Sequence, residues 1–325
     1  MQYTRLGGSG LQISRVALGC MSFGEPRSGF AEWVLDEEKA APFFRQAVEL
    51  GITFWDTANV YAKGTSEEIV GRAITEFSSR EQIVLATKVF FPMHAGPGGS
   101  GLSRKAIFEQ VDASLARLGT DYVDLLQIHR FDPAVPVEET MGALHDVVKA
   151  GKARYLGASA MHAWQFAKMQ HAADVHGWTR FISMQDQYSL LYREEEREMF
   201  GLLGDQGVGS IPYSPLAKGR VARPFGERTS ARSHNDPVGS AHFANPDAEK
   251  PVIDAVERIA AERGVPMAQI ALAWVLANPI VSAPIVGATK QHHLADAAAA
   301  VELTLTSGEV DELNAHYVVR QPAGY

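Results

Sequence analysis

Along the chain, short apolar runs alternate with longer stretches whose apolar residues recur every three or four positions. The first kind reads as strands and the second as helices that turn one face toward a shared core. Thr53-Phe54-Trp55, β-branched and aromatic, is bounded by Gly51 and Asn59 and predicts a buried strand running into a loop. Further strands are expected at residues 83–88, 123–129, 154–159, 181–185, 209–213 and 283–286. Helical periodicity covers residues 36–50, 66–77, 103–118, 137–150, 163–175, 194–203, 252–263 and 267–277. Asp36 is a candidate N-cap, and Gly51, Gly119 and Gly151 are candidate helix stops.

At the N-terminus, residues 3–6 and 13–18 read as two strands about the turn Gly7-Gly8-Ser9-Gly10. Those glycines do not form a dinucleotide fingerprint, because a second strand follows them where that motif needs a helix. Counting the strand at Val16, eight strands alternate with helices. This favours a closed parallel barrel over an open doubly wound sheet. The expected fold is therefore α/β, a (β/α)8 TIM barrel occupying residues 1–325 as one domain, with an N-terminal β-hairpin capping the barrel floor. The chain has 325 residues, and a bare barrel needs ~250, which leaves room for long loops. Residues 91–101, 217–250 and 317–325 fall outside the repeat and read as binding loops or lids.

Three of these strands end in chemistry: Asp56, Lys88 and His129. A terminal aspartate alone is as readily a turn former. A lysine closing a buried strand, however, needs a counter-charge, since an isolated ammonium away from water is costly. From Asp56 to Lys88 is 88−56 = 32 residues and from Lys88 to His129 is 129−88 = 41, each one crossover unit. Neighbouring strands would bring all three to the C-terminal rim, where barrel enzymes keep their active sites.

The local wording, Asp56-Thr57-Ala58 with Tyr61 and Ser66-Glu67, Ala86-Thr87-Lys88, and Gln127-Ile128-His129, resembles the aldo-keto reductase family, in particular its long-loop bacterial type. Potassium-channel beta subunits are similar too. The likeness continues through Gly157-Ala158-Ser159, Gln185, Ile211-Pro212-Tyr213-Ser214-Pro215-Leu216 and Val286-Gly287-Ala288-Thr289-Lys290, so it spans nearly the whole chain.

The resemblance implies a catalytic tetrad of Asp56, Tyr61, Lys88 and His129, and hydride transfer between a nicotinamide and an aldehyde or ketone. Tyr61 would be the general acid, its phenol acidified by Lys88, which Asp56 keeps charged. The implied cofactor site comprises Gly19, Met21 and Asp56, with Tyr213 stacking on the nicotinamide and Ser159 and Gln185 on its carboxamide. The pyrophosphate would lie along Ser214, Pro215, Leu216, Lys218, Gly219 and Arg220, and the adenosine end at Gly287, Ala288, Thr289, Lys290 and His293, where the last strand runs into a helix expected to begin near Gln291. Lys290 suits a 2′-phosphate, which favours NADPH while leaving NADH possible. The likeness departs at Ala160, His293 and Ala297, where members often carry Asn, Arg or Gln, and Asn; the last two bear on the preference between the cofactors.

Composition narrows the rest. With 30 basic against 38 acidic residues, a net charge of −8 and no dense basic block, nucleic acid is not an expected partner. No signal-peptide core or membrane span is legible, and Cys20 is the only cysteine, so a cytoplasmic protein without disulfides or a cysteine-rich zinc site is expected. No metal constellation is legible among the histidines. The expected partner is a small carbonyl substrate; no pattern fixes an oligomeric state. Two other readings stay open: a nucleotide-sensing regulatory subunit with little turnover, and a lyase forming a Schiff base on Lys88.

Overall fold

The computed structural model describes residues 1–26, 33–227 and 245–322. The short apolar runs become strands whose backbone groups pair in parallel. They are β3 (Ala17–Gly19), β4 (Phe54–Asp56), β5 (Val84–Val89), β6 (Val123–Ile128), β7 (Ala153–Ser159), β8 (Phe181–Gln185), β9 (Gly209–Ser210) and β10 (Ile285–Gly287). The eight form one sheet in the order β10-β3-β4-β5-β6-β7-β8-β9. Its two ends meet: Ser210 N donates to Ile280 O (2.9 Å), Ser282 N to Ser210 O (2.8 Å) and Ile285 N to Pro212 O (2.8 Å), closing the sheet into a (β/α)8 barrel. Arg15 reinforces the closure by donating to the carbonyls of Leu276, Val281 and Ser282.

The helices follow their sequence signals. Asp36 caps α1 (Glu37–Glu49) by accepting from Lys39 N, and Ser103 caps α3 (Arg104–Leu118), which ends on left-handed Gly119. Between and after them lie α2 (Thr65–Phe77), α4 (Val137–Lys149) and α5 (Ala163–His176). The stretch read as one helix over 194–203 divides into a single 3-10 turn, Glu194–Glu196, and α6 (Met199–Gln206). Next, α7 (Pro246–Arg263) starts six residues before its expected beginning at 252, because Asn245 caps it and Pro246 fits the first turn, where no N–H is required. It is followed by α8 (Met267–Ala277), α9 (His292–Ala300) and α10 (Ser307–Ala315), the last of which has no counterpart among the expected helices.

Two apolar layers result. One lies between barrel and helices, with Phe44, Trp55, Val111, Leu144, Phe166 and Val256 among its residues. The other fills the barrel interior with Ala17, Phe54, Leu125, Ile211 and Ile285, joined by Leu6 and Ile13 from the hairpin. That hairpin is β1 (Tyr3–Arg5) paired antiparallel with β2 (Gln12–Ser14), and it plugs the N-terminal end of the barrel.

The expected strand over 13–18 is in fact two, broken at Arg15-Val16. Ser14 Oγ makes the break: it donates to Val16 O (2.7 Å) and accepts from Thr53 N and Phe54 N at the start of β4. Gly7, at φ +56°, lies so close to β9 that a Cβ would come within 2.6 Å of Gly209 N. With the floor sealed, the open end is the C-terminal rim. The proposed flap over 217–250 and the tail over 317–325 fall partly on residues 228–244 and 323–325, which lie outside the described residues. Among the described residues no helix is long and apolar enough to cross a membrane.

Candidate active site

Asp56 ends β4, and the chain beyond it is tied to β5: Thr57 N donates to Ala86 O (2.9 Å) and Asn59 N to Lys88 O (3.1 Å). A 3-10 turn, Tyr61–Gly64, follows. Within it Ala62 (φ 45°) and Lys63 (φ 56°) hold left-handed conformations that a Cβ disfavours. The turn leaves the Tyr61 hydroxyl 3.3 Å from Lys88 Nζ.

Lys88 is wholly buried, and its three N–H donors are all engaged: Asp56 Oδ2 at 2.5 Å, Thr57 O at 2.9 Å and Tyr61 Oη at 3.3 Å. Burial pulls its ammonium down, but the Asp56 carboxylate and Tyr61 together reverse that and leave it above its ordinary value. The other Asp56 oxygen, Oδ1, accepts from Gln127 Nε2 (2.9 Å) and Gln185 Nε2 (3.0 Å). One carboxylate thus links β4 to residues of β5, β6 and β8.

The expected acidification of Tyr61 is only partly present. Burial pushes the phenol up, the Lys88 charge pulls it down, and the net result stays above the ordinary value. Desolvation of the phenolate outweighs the lysine, so the hydroxyl keeps its proton at neutral pH.

His129 directly follows β6. Burial, then the charges of Lys88 and Arg130, hold its pKa well below the ordinary value, so the imidazole is neutral. Its Nδ1 is buried without a hydrogen-bond partner. The ring stands edge-on to Tyr61 (5.8 Å between centroids) and to Phe91 (4.8 Å), so all four tetrad residues meet at one rim.

The residues expected to hold a nucleotide line the same rim. Ser159 Oγ donates to Gln185 O (2.9 Å), and Gln185 Nε2 also donates to Gln127 Oε1 (3.0 Å). Of the Gln185 amide, Oε1 is the atom left to accept from a ligand. Tyr213 was expected to close a strand over 209–213, but regular pairing stops at Ser210, although Ile211 N still donates to Met184 O (2.9 Å) and keeps the backbone alongside β8. Tyr213 is held instead through its N–H to Asp186 O (2.8 Å) and an isolated bridge to Gln187.

Beyond it, Ser214, Ala217 and Lys218 all have positive φ, and Pro215 and Leu216 complete a tight loop tied by Ala217 N to Ser214 O. Arg220 pairs with buried Glu249 (2.8 Å). On the other side, Gly19 and Gly287 are register partners in β3 and β10, with Met21 in the turn Cys20–Ser22 beside them. Ala288 is buried, Thr289 N donates to His293 Nδ1 (3.3 Å), and exposed Lys290 immediately precedes the Gln291 cap of α9.

The sequence matches the description "Aldo/keto reductase family" over residues 15–318. The chain belongs to the aldo/keto reductase family. Among its relatives are versiconal hemiacetal acetate reductase of Aspergillus parasiticus, 44% identical over 98% of this chain and 97% of the relative, and an aldo-keto reductase of Fusarium vanettenii, 43% identical over 100% and 93%. A Schizosaccharomyces pombe protein provisionally named an aryl-alcohol dehydrogenase is 43% identical over 97% of this chain and 95% of its own. An oxidoreductase acting on carbonyl groups is the activity these matches support, with the nicotinamide cofactor general to the family.

This aldo/keto reductase fits such a cofactor on its own geometry. Arg223 Nη1 is buried without a partner, and the guanidinium lies against Gly219, where a Cβ would meet Nη2 at 2.5 Å. The Arg223 charge, with those of His292 and Lys290, adds to burial in lowering His293 to about 4. The unpartnered Arg223 Nη1, in a region where Lys290 precedes the N-terminus of α9, is suited to a phosphate.

Sequence reasoning had no signal for Arg223, which falls in an unpatterned loop, nor for the role of Gln127, which entered only as part of a motif. The same holds for Glu67, fully buried behind the tetrad, which accepts from Thr87 Oγ1 (2.5 Å) and Arg117 Nε (2.7 Å). Asp186 is a further unforeseen group. Both its carboxylate oxygens are buried without partners, and burial together with neighbouring Glu195 raises it well above the usual carboxylate range.

Proposed function

We propose that this protein reduces an aldehyde or ketone, of aromatic type, to the alcohol with NADPH, and that Tyr61 is the proton donor. The observation that carries the reading is Lys88 Nζ bridging Asp56 Oδ2 and Tyr61 Oη in a buried site. A bound nicotinamide supplies the hydride, which no side chain can. The Tyr61 phenol, protonated at neutral pH, gives its proton from Oη to the developing alkoxide, and the Lys88 ammonium at 3.3 Å stabilises the phenolate left behind. Asp56 keeps that ammonium charged. Neutral His129 can orient the carbonyl oxygen as a hydrogen-bond donor but is not itself an acid at pH 7.

Gln185 Oε1 and Ser159 are suited to the carboxamide, and Tyr213 to the ring face. The Ser214–Gly219 loop with Lys218 and Arg220 suits the pyrophosphate. Lys290, His293 and Arg223 suit a 2′-phosphate, which is why NADPH is preferred over NADH. An aromatic substrate accords with the Phe91 ring standing edge-on to His129, and with the names of the dehydrogenase relatives.

The Lys88 geometry weighs against a Schiff base, because an ammonium with all three N–H bonds engaged has no lone pair to offer. The test is oxidation of NADPH and of NADH with a panel of carbonyl compounds, using the wild type and Lys290→Ala. Turnover with NADPH, weakened by the variant more than NADH turnover is, supports the reading. No turnover with any carbonyl rejects it.

A further inference from the structure

Arg130 follows His129 and belongs to no part of the machinery described above. Its Nη1 donates to His129 O (2.6 Å), and its Cζ lies 5.5 Å from the centroid of the Phe91 ring, the same ring that stands 4.8 Å edge-on to His129. The guanidinium is therefore fixed beside the catalytic rings, and its charge is felt at Tyr61, His129 and Tyr213.

Among the described residues it makes no ion pair. The acid nearest in sequence, Asp132, has both oxygens committed to backbone N–H groups: Oδ2 to Leu102 (2.8 Å) and Oδ1 to Ala134 (3.0 Å). Of the five guanidinium donors only Nη1 has an acceptor, while Nε and Nη2 remain open to solvent rather than buried. A planar, permanently charged fork in that state is suited to a carboxylate.

We propose that Arg130 is a specificity residue for an anionic substituent, and that the preferred substrates are aromatic aldehydes or ketones bearing a carboxylate away from the reacting carbonyl. This rests on the carbonyl-reductase reading. Phe91 would face the substrate ring while the guanidinium takes the carboxylate, leaving Tyr61 and His129 for the carbonyl oxygen.

The experiment compares 3- and 4-formylbenzoate with their neutral methyl esters under saturating NADPH, in the wild type, Arg130→Met and Arg130→Lys. For the better isomer the wild type should favour the acid over its ester by about tenfold or more in kcat/KM, mainly through KM, and the ratio should shrink as salt is added. Arg130→Met should bring the ratio close to one, while Arg130→Lys retains part of it. Because a ratio is read, a general loss of activity in a variant does not mimic the effect, and the wild-type ratio and its salt dependence stand even if a variant fails to fold. Esters reduced as well as acids by the wild type, or a preference unchanged in Arg130→Met, would overturn the proposal while leaving carbonyl reduction intact. Failure to reduce any of the four compounds, or any other carbonyl, would reject the carbonyl-reductase reading and this one with it.

Discussion

At the scale of single residues, the site depends on one ammonium with no unengaged bond. Because Lys88 contacts both the carboxylate and the phenol, removing either partner has different consequences. Tyr61→Phe removes the proton donor but leaves the Asp56–Lys88 pair in place. Reduction should fall by about 10²–10⁴-fold while nucleotide binding, followed by tryptophan fluorescence quenching, stays within a fewfold of wild type. Asp56→Asn instead strands a buried charge, and urea unfolding should show a loss of about 3–5 kcal/mol. Asp56, Lys88 and His129 are legible because each closes an apolar run, which puts them on one rim, whereas Tyr61, in the turn beyond β4, is legible only through the family resemblance. What could not be read was the balance at Tyr61: proximity to a lysine was evident, whereas the desolvation that outweighs it depends on burial, which sequence spacing does not report.

At the scale of elements, the N-terminus of α9 concentrates unusual electrostatics. His293 is held at about 4 by burial and by the positive neighbours His292, Lys290 and Arg223, so the folded protein refuses a proton that the unfolded chain accepts below about 6.5. Stability should accordingly fall as pH drops through the window from about 6.5 to 4, and His293→Gln should flatten that part of a Tm-versus-pH curve. An unchanged slope would mean that other groups, buried His129 among them, carry it.

Element boundaries were readable where a cap announces them, as at Asp36, Ser103 and Gly119. A comparable signal at α10 went unused: Thr306 and Glu309 form a capping box, but its turn is too polar to stand out from the tail. The end of β9 is not legible, because Ile211-Pro212-Tyr213 is apolar enough for a strand and still hydrogen-bonds alongside β8 through Ile211 N and Tyr213 N, while regular pairing stops at Ser210.

At the scale of the whole molecule, the hairpin, the barrel interior and the rim form a vertical sequence from plug to packing to chemistry. Leu6 and Ile13 are fully buried in the interior layer. Ile13→Ala should cost about 2–5 kcal/mol in chemical denaturation with kcat per folded molecule unchanged, since the lost contacts lie at the far end from Tyr61. The barrel itself was legible from eight alternations, but not how its ends join, since closure runs through Arg15 and the backbone of Ile280–Ser282 outside any regular strand. The carboxylate of Asp56, reaching residues of three other strands, ties the two scales together. An engineer wishing to install a new reaction in this scaffold cannot treat that position as a free choice: any replacement must also offer new partners to Lys88, Gln127 and Gln185, so the old chemistry can be rewritten only as a set of four.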